Sequence, residues 1–192
     1  MFLSTTILWI LVARLCGGSF KKLAAAEIRG AWMIFASLLV RFVLYGGWLK
    51  LDSVTAGVLH TGSFVLLLFA FAANWDIHGM PLAATGSLLN AVAIGASGGR
   101  MPVTRAALEA SGLWEKIGKA LAAGESMTHT LVEGPSNLAV VGDCFWFRLP
   151  WGTPNVFSAG DVLLMIGMFF AIMELMGTSL RRRLVKRRRA TG

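Results

Sequence analysis

Apolar residues along the chain fall into five long runs, approximately 2–15, 31–48, 54–73, 80–96 and 162–177, the fourth and fifth separated by a long segment of mixed polarity. A helix needs about 20 apolar residues to cross a hydrocarbon core, and runs of this length predict helices at home in one. Arg14 interrupts the first run, which still spans if that side chain snorkels to the interface. The first run lacks the basic flank and small-residue cleavage pattern of a signal peptide, so it is read as retained.

The segment between the fourth and fifth runs is patterned differently. Gly98-Gly99 predicts the end of a helix and Pro102 an extended stretch, after which Thr104 is placed to cap a new helix. Leu108, Leu113, Trp114, Ile117 and Leu121 then recur at helical spacing with Glu109, Glu115, Lys116 and Lys119 between them, and Gly112 divides the stretch in two. This is the pattern of an amphipathic helix lying on a membrane surface, with Trp114 at headgroup depth. Residues 138–141 and 144–148, on either side of Gly142-Asp143, read as a short hairpin. Ser158-Ala159-Gly160-Asp161 matches a capping box before the fifth run.

The pattern predicts an all-α membrane protein of about five transmembrane helices, with a long exofacial loop carrying an amphipathic helix and a short hairpin. Its organisation is a four-helix transmembrane region over 1–97, the exofacial loop over 98–158, a fifth transmembrane helix over 159–180 and a basic cytoplasmic tail over 181–192.

Composition sharpens this reading. Of 192 residues 56% are hydrophobic and 15% charged, against about 25% charged in soluble domains, and the mean hydropathy is +0.67. A soluble enzyme, a disordered chain and a disulfide scaffold are excluded. The net charge of +8 is local, since Arg181, Arg182, Arg183, Lys186, Arg187, Arg188 and Arg189 supply seven of the 18 basic residues. A basic run directly after an apolar span reads as a cytoplasmic anchor on anionic lipids rather than a nucleic-acid site. Lys21, Lys22 and Arg29 agree with it in parity, which puts the amino terminus outside and the carboxyl terminus inside a bacterial plasma membrane. Cys16 and Cys144 then lie on opposite faces as free thiols.

Candidate chemistry falls in two groups. Arg41, His60, Asn90 and Glu174 are polar residues within apolar runs, where a charge costs about 2.5–3.5 kcal/mol at mid-membrane. In the exofacial segment Arg100, His129, Asp143, Asn155 and Asp161 are binding candidates, and a His with two carboxylates is a permissible metal or acid–base set. No H-E-x-x-H, C-x-x-C or G-x-S-x-G occurs, so the pattern names neither a cofactor nor a metal. On the fourth run Ala83, Ser87, Ala91 and Gly95 repeat every four residues, a spacing that lets helix backbones approach closely.

Gly98-Gly99-Arg100-Met101-Pro102-Val103 directly after a span, Gly142-Asp143, and Pro154-Asn155-Val156-Phe157-Ser158-Ala159-Gly160-Asp161 before the last span carry a resemblance to a known family. In these motifs and in the order of its runs the chain resembles the bacterial integral-membrane family known as domain of unknown function 5317. The resemblance implies a plasma-membrane site in a Gram-positive or related bacterium, and no activity. The expected function is a binding or assembly factor acting through the exofacial loop, with a membrane-protein partner or a second copy of the chain. The alternatives are an exofacial enzyme or metal- or ion-handling protein using Asp143, His129 and Asp161, and a transporter subunit relying on Arg41 and Glu174.

Overall fold

The computed structural model describes residues 2–47, 49, 51–134, 137–148 and 154–178. The seven-charge tail from Arg181 to Arg189, expected to contact lipid, lies outside the described residues.

The apolar runs form helices α1 (Phe2–Leu15), α3 (Ala31–Gly46), α4 (Ser53–Ala73), α5 (Met80–Ala96) and α9 (Ala159–Leu175), with a short α2 (Phe20–Ala24) after the first. They pack side by side in the order α1, α9, α5, α4, α3, so that α5 is flanked on both sides. Its two packing faces have different chemistry. Toward α4, Ser87 donates to the Phe64 carbonyl at 2.8 Å, and Gly95 faces Thr61. Toward α9, a Cβ on Gly86 would stand 2.4 Å from the Gly160 carbonyl oxygen, and one on Gly167 2.5 Å from the Ala83 nitrogen. These two glycines therefore set the α5–α9 distance, because any side chain there would meet backbone.

Between α5 and α9 the chain builds a cap. Strand β1 (Met101–Thr104) leads into α6 (Arg105–Ser111), a π-helical turn over Trp114–Gly118 and α7 (Lys119–Ala122), then strand β2 (His129–Val132). Helix α8 (Asn137–Val141), strand β3 (Asp143–Phe147) and strand β4 (Asn155–Ser158) complete it. The sheet order is β2-β1-β3-β4. β1 runs parallel to β2, with Met101 opposite His129 and Thr104 opposite Val132, and parallel to β3 at Val103 and Asp143; β3 and β4 are antiparallel.

The all-α expectation is thus corrected. The fold is mixed α/β, and the segment read as a surface helix is the crossover of a β-α-β unit, a connection that parallel strands require. Its apolar face covers the sheet rather than a membrane: Val103, Leu108 and Leu121 form a buried cluster with Leu113, Trp114, Leu131 and Val156 against it. Trp114 itself lies under the Arg105 guanidinium at 4.3 Å. The hairpin is corrected too, because residues 137–141 are helical and β3 pairs with β4 instead.

About five full spans are likewise not found. Ser53–Ala73 is the one helix among the described residues long and apolar enough to cross a membrane, while Ser4–Leu15, Ala31–Gly46 and Met80–Ala96 are apolar but shorter. At 1.5 Å per residue, 14 to 17 residues reach only about 21–26 Å of a core about 30 Å thick. The helices nevertheless expose large apolar side chains around the row, Phe35 at 72% and Val54 at 74%, with Trp32, Leu39, Val58 and Phe69 similarly bare.

Candidate functional site

The site is built where the cap meets the helix ends. Gly98 and Gly99, both at positive φ, turn the chain out of α5 and lay Gly99 against Gly57 of α4 so closely that a Cβ would stand 2.1 Å from its Cα. Such contact requires glycine on both sides. It also presents the Gly99 carbonyl to His60, whose Nδ1 lies 3.1 Å away. A carbonyl only accepts, so Nδ1 carries the proton and Nε2 is left with a lone pair.

At the start of α9 the expected capping box is present. Ser158 Oγ accepts from the Asp161 amide at 3.0 Å, and Asp161 Oδ2 accepts from the Ser158 amide at 3.3 Å. Asn90 extends this into a closed network, donating from Nδ2 to Asp161 Oδ1 at 2.7 Å and accepting at Oδ1 from Ser158 Oγ at 2.8 Å. Asn90 and Ser158 are fully buried, and the network ties α5 to α9 and to the last strand.

Beside it opens a cavity of about 280 Å³. Arg41 and Tyr45 of α3, His60 and Phe64 of α4, Asn90 and Ile94 of α5 and Asp161 of α9 line its helical side. Each strand of the cap adds to the other side: Met101, His129, Asp143, and the pair Asn155 and Val156. The Arg41 guanidinium lies 4.3 Å over the Phe64 ring. Tyr45 stands between the two histidines, its ring 6.0 Å from His60 and 5.8 Å from His129.

Two residues that line this cavity each carry a buried side-chain atom with no hydrogen-bond partner, His60 Nε2 and Asp143 Oδ1. Orphans of this kind are rare in folded proteins and call for an explanation. The other Asp143 oxygen faces His129 Nε2 at 3.8 Å, while His129 Nδ1 meets Thr128 Oγ1 at 2.9 Å. Burial, with the Asp161 carboxylate adding, holds Asp143 well above the usual carboxylate range. Burial, together with His60 and Arg41, pushes His129 down to about 4. Both effects act against the charged forms, so neither group is held by the other as an ion pair. That arrangement can donate to and accept from a ligand. No group of three or more His, Cys, Asp or Glu among the described residues is placed to hold a metal ion.

Seven residues singled out in the sequence therefore meet at one place: Arg41, His60, Asn90, His129, Asp143, Asn155 and Asp161. Two do not. Arg100 reaches toward the Gly124 carbonyl at 3.5 Å, on the cap. Glu174 sits at the far end of α9, where it accepts from the His78 amide at 2.7 Å and pairs with the His78 ring. Arg41 and Glu174 thus lie at opposite ends of the helix row. Sequence reasoning missed Tyr45, Phe64 and Ile94, yet each stands four residues after a polar candidate, one helical turn on the same face. Cys16 and Cys144 are both free.

Comparison with known proteins brings a family but no activity. The model of a family described as being of unknown function, DUF5317, matches residues 25–173. A protein of Thermotoga maritima described as uncharacterized is 36% identical over 107 residues, 56% of this chain and 58% of the relative. The chain thus spans 58% of the length of the relative it matches. No solved structure matches.

Proposed function

The chain belongs to DUF5317, a family of unknown function, and we propose that it is a multi-pass protein of a bacterial plasma membrane that binds a small polar ligand between its helices and its cap. The observation that carries the binding reading is the pair of buried, unpartnered acceptors, His60 Nε2 and Asp143 Oδ1, on opposite walls of one cavity. Leaving a buried polar atom unpaired costs about 1–3 kcal/mol, and a ligand that donates to both recovers that cost.

The membrane reading is supported by the apolar residues bared around the helix row, since soluble monomers seldom expose apolar patches beyond a few hundred Å². The cap is assigned to the outer face, from the parity of Lys21, Lys22, Arg29 and the basic tail. The binding surface expected of the exofacial segment thereby becomes a cavity shared by that segment and the helices.

Native mass spectrometry of the protein released from mild detergent tests the binding reading. Wild type should retain a small polar or amphiphilic molecule, and His60→Leu and Asp143→Leu, which remove the orphan acceptors, should lose it while keeping their melting transition. Bare wild-type protein, unaffected in melting temperature by any polar additive, would refute it.

A further inference from the structure

A second cavity, of about 360 Å³, adjoins the first inside the cap. Its apolar lining is Val103, Ile117, Ala120, Leu121 and Val156, with Glu125 and Ser126 its polar members. His129 and Val156 line both cavities, which places the two side by side. Ile117 and Ala120 are exposed, so this space opens to the surface as an apolar groove. Ile117 belongs to the π-helical turn Trp114–Gly118, and such turns occur frequently at functional sites.

The polar compartment is selective in what it accepts. His60 Nε2 demands a donor, so the ligand must bring a hydroxyl or an N–H. Arg41 presents a guanidinium with five N–H donors in a fork suited to phosphate and carboxylate oxygens. The carboxylate of Asp161 is already met by Asn90 and the Ser158 amide. A negative group carrying neighbouring hydroxyls fits that lining; a quaternary ammonium, which can donate to nothing, does not.

Building on the binding reading above, we infer that the two cavities form one bipartite site for a single-chain amphiphile, with an anionic, hydroxyl-bearing headgroup against Arg41 and His60 and an apolar chain in the cap beside Ile117 and Ala120. The shared headgroup chemistry is a glycerophosphate, which a lipid or a free metabolite could supply. The chain compartment distinguishes them in favour of the lipid.

The experiment measures binding to the full-length protein in a non-ionic detergent. Its probes are decanoyl lysophosphatidylglycerol below its critical micelle concentration, glycerol 3-phosphate, and decanoyl lysophosphatidylcholine. The lysophosphatidylglycerol should bind at least about tenfold more tightly than either of the others, a difference of about 1.4 kcal/mol. Ala120→Trp, at an exposed position of α7, fills the chain compartment and should abolish its advantage over glycerol 3-phosphate. Arg41→Gln should abolish its advantage over the choline compound. Ile117→Phe is the milder second variant, and unliganded melting temperatures report whether each variant folds. Equal binding of glycerol 3-phosphate and the lysolipid would overturn the chain compartment while leaving the binding reading intact. Equal binding of the two lysolipids would overturn the headgroup assignment. Failure of all three probes, with another polar molecule retained by wild type, would overturn the amphiphile alone; failure with nothing retained would overturn the binding reading with it.

Discussion

Replacing Asp161 separates holding the fold from holding a ligand, because each atom of its carboxylate has an identified partner. In Asp161→Ala both oxygens vanish, and the Asn90 amide and the Ser158 backbone N–H lose their acceptors at buried positions. At about 1–3 kcal/mol for each stranded donor, with a few tenths returned by the helix propensity of Ala, the loss is about 2–5 kcal/mol. Asp161→Asn behaves differently, since a half-turn of the Asn90 amide lets its Oδ1 accept from the new side-chain amide. The new carbonyl still accepts from the Ser158 amide, and Asn90 Nδ2 then donates to Ser158 Oγ. One buried donor, the Ser158 hydroxyl, is stranded instead of two, and the charge at the helix start is lost, together about 1–3 kcal/mol. A chain of this size shifts by about 2–4 °C per kcal/mol, so thermal unfolding in one detergent should rank wild type, Asn and Ala. Ala, for a loss near 3 kcal/mol, should fall about 6–12 °C below wild type, and Asn, with one stranded donor instead of two, about half as far. Equal melting temperatures, or Asn as damaging as Ala, would refute the network as a stabilising element.

Three further perturbations test other parts of the structure. Gly167→Ala places a Cβ 2.5 Å from the Ala83 nitrogen and 2.6 Å from the Gly79 oxygen, and by overpacking should cost about 1–3 kcal/mol in a denaturant titration. Gly62→Ala, with nothing within 4 Å, should be neutral or stabilising by up to about 1 kcal/mol; equal effects at the two positions would be inconsistent with the helix spacing. His129, held down to about 4 in the folded protein, takes up its proton more readily when unfolded, so its contribution is lost as pH falls from about 6.5 toward 4. That loss is about 2 kcal/mol at pH 5, and Asp143, shifted upward, acts in the opposite sense. In an Asp143→Asn background, His129→Gln should therefore reduce by about 2 kcal/mol the destabilisation between pH 7 and pH 5 seen by thermal unfolding, and an unchanged profile would contradict the enclosure of His129 by the cap. A membrane-impermeant maleimide on intact cells should label Cys144 and spare Cys16; because burial raises the Cys144 thiol, labelling should be slow and should quicken with rising pH. Labelling of Cys16 alone would reverse the proposed orientation.

The helices were legible because length and apolarity are local properties. The run at 80–96 reappears as Met80–Ala96, and the run at 54–73 as Ser53–Ala73. The fifth helix begins earlier than its apolar run, at Ala159, because the Ser158–Asp161 box and not hydropathy sets its start. Of the sheet only one strand was legible, residues 144–148 reappearing as Asp143–Phe147, and its partner was misread. Three of its four strands are four residues long and the other five, too short for alternation to declare itself, and Pro102 sits in β1 between two neighbours. The pairing of Met101–Thr104 with His129–Val132 depends on contacts about 28 residues apart, which no local pattern encodes. The amphipathic helix was visible as such, but periodicity says only that one face is covered and not by what.

The candidate residues came from two arguments that never met in the sequence, the cost of a polar group in an apolar run and the abundance of functional residues in a long connection. The fold joins them because α3 and α5 end, and α4 and α9 begin, beneath the cap. At that seam a polar residue can be buried in either of two ways. Asn90, Ser158 and Asp161 are saturated by one another, and a group whose valences are filled by its own chain has little left for a ligand. His60 and Asp143 differ: one valence of the His60 ring is spent on a backbone carbonyl, while His60 Nε2 and Asp143 Oδ1 have no partner, and both residues line the cavity. Removing a saturated group should be read mainly in stability, and removing an orphan mainly in binding. His60→Leu removes a buried orphan but strands the single Gly99 carbonyl, whereas Asn90→Leu strands both Asp161 Oδ1 and the Ser158 hydroxyl and should lower the melting temperature more. If both variants lose stability equally, with retained ligand unchanged in His60→Leu, the orphan at His60 is a feature of packing and the cavity has a different occupant.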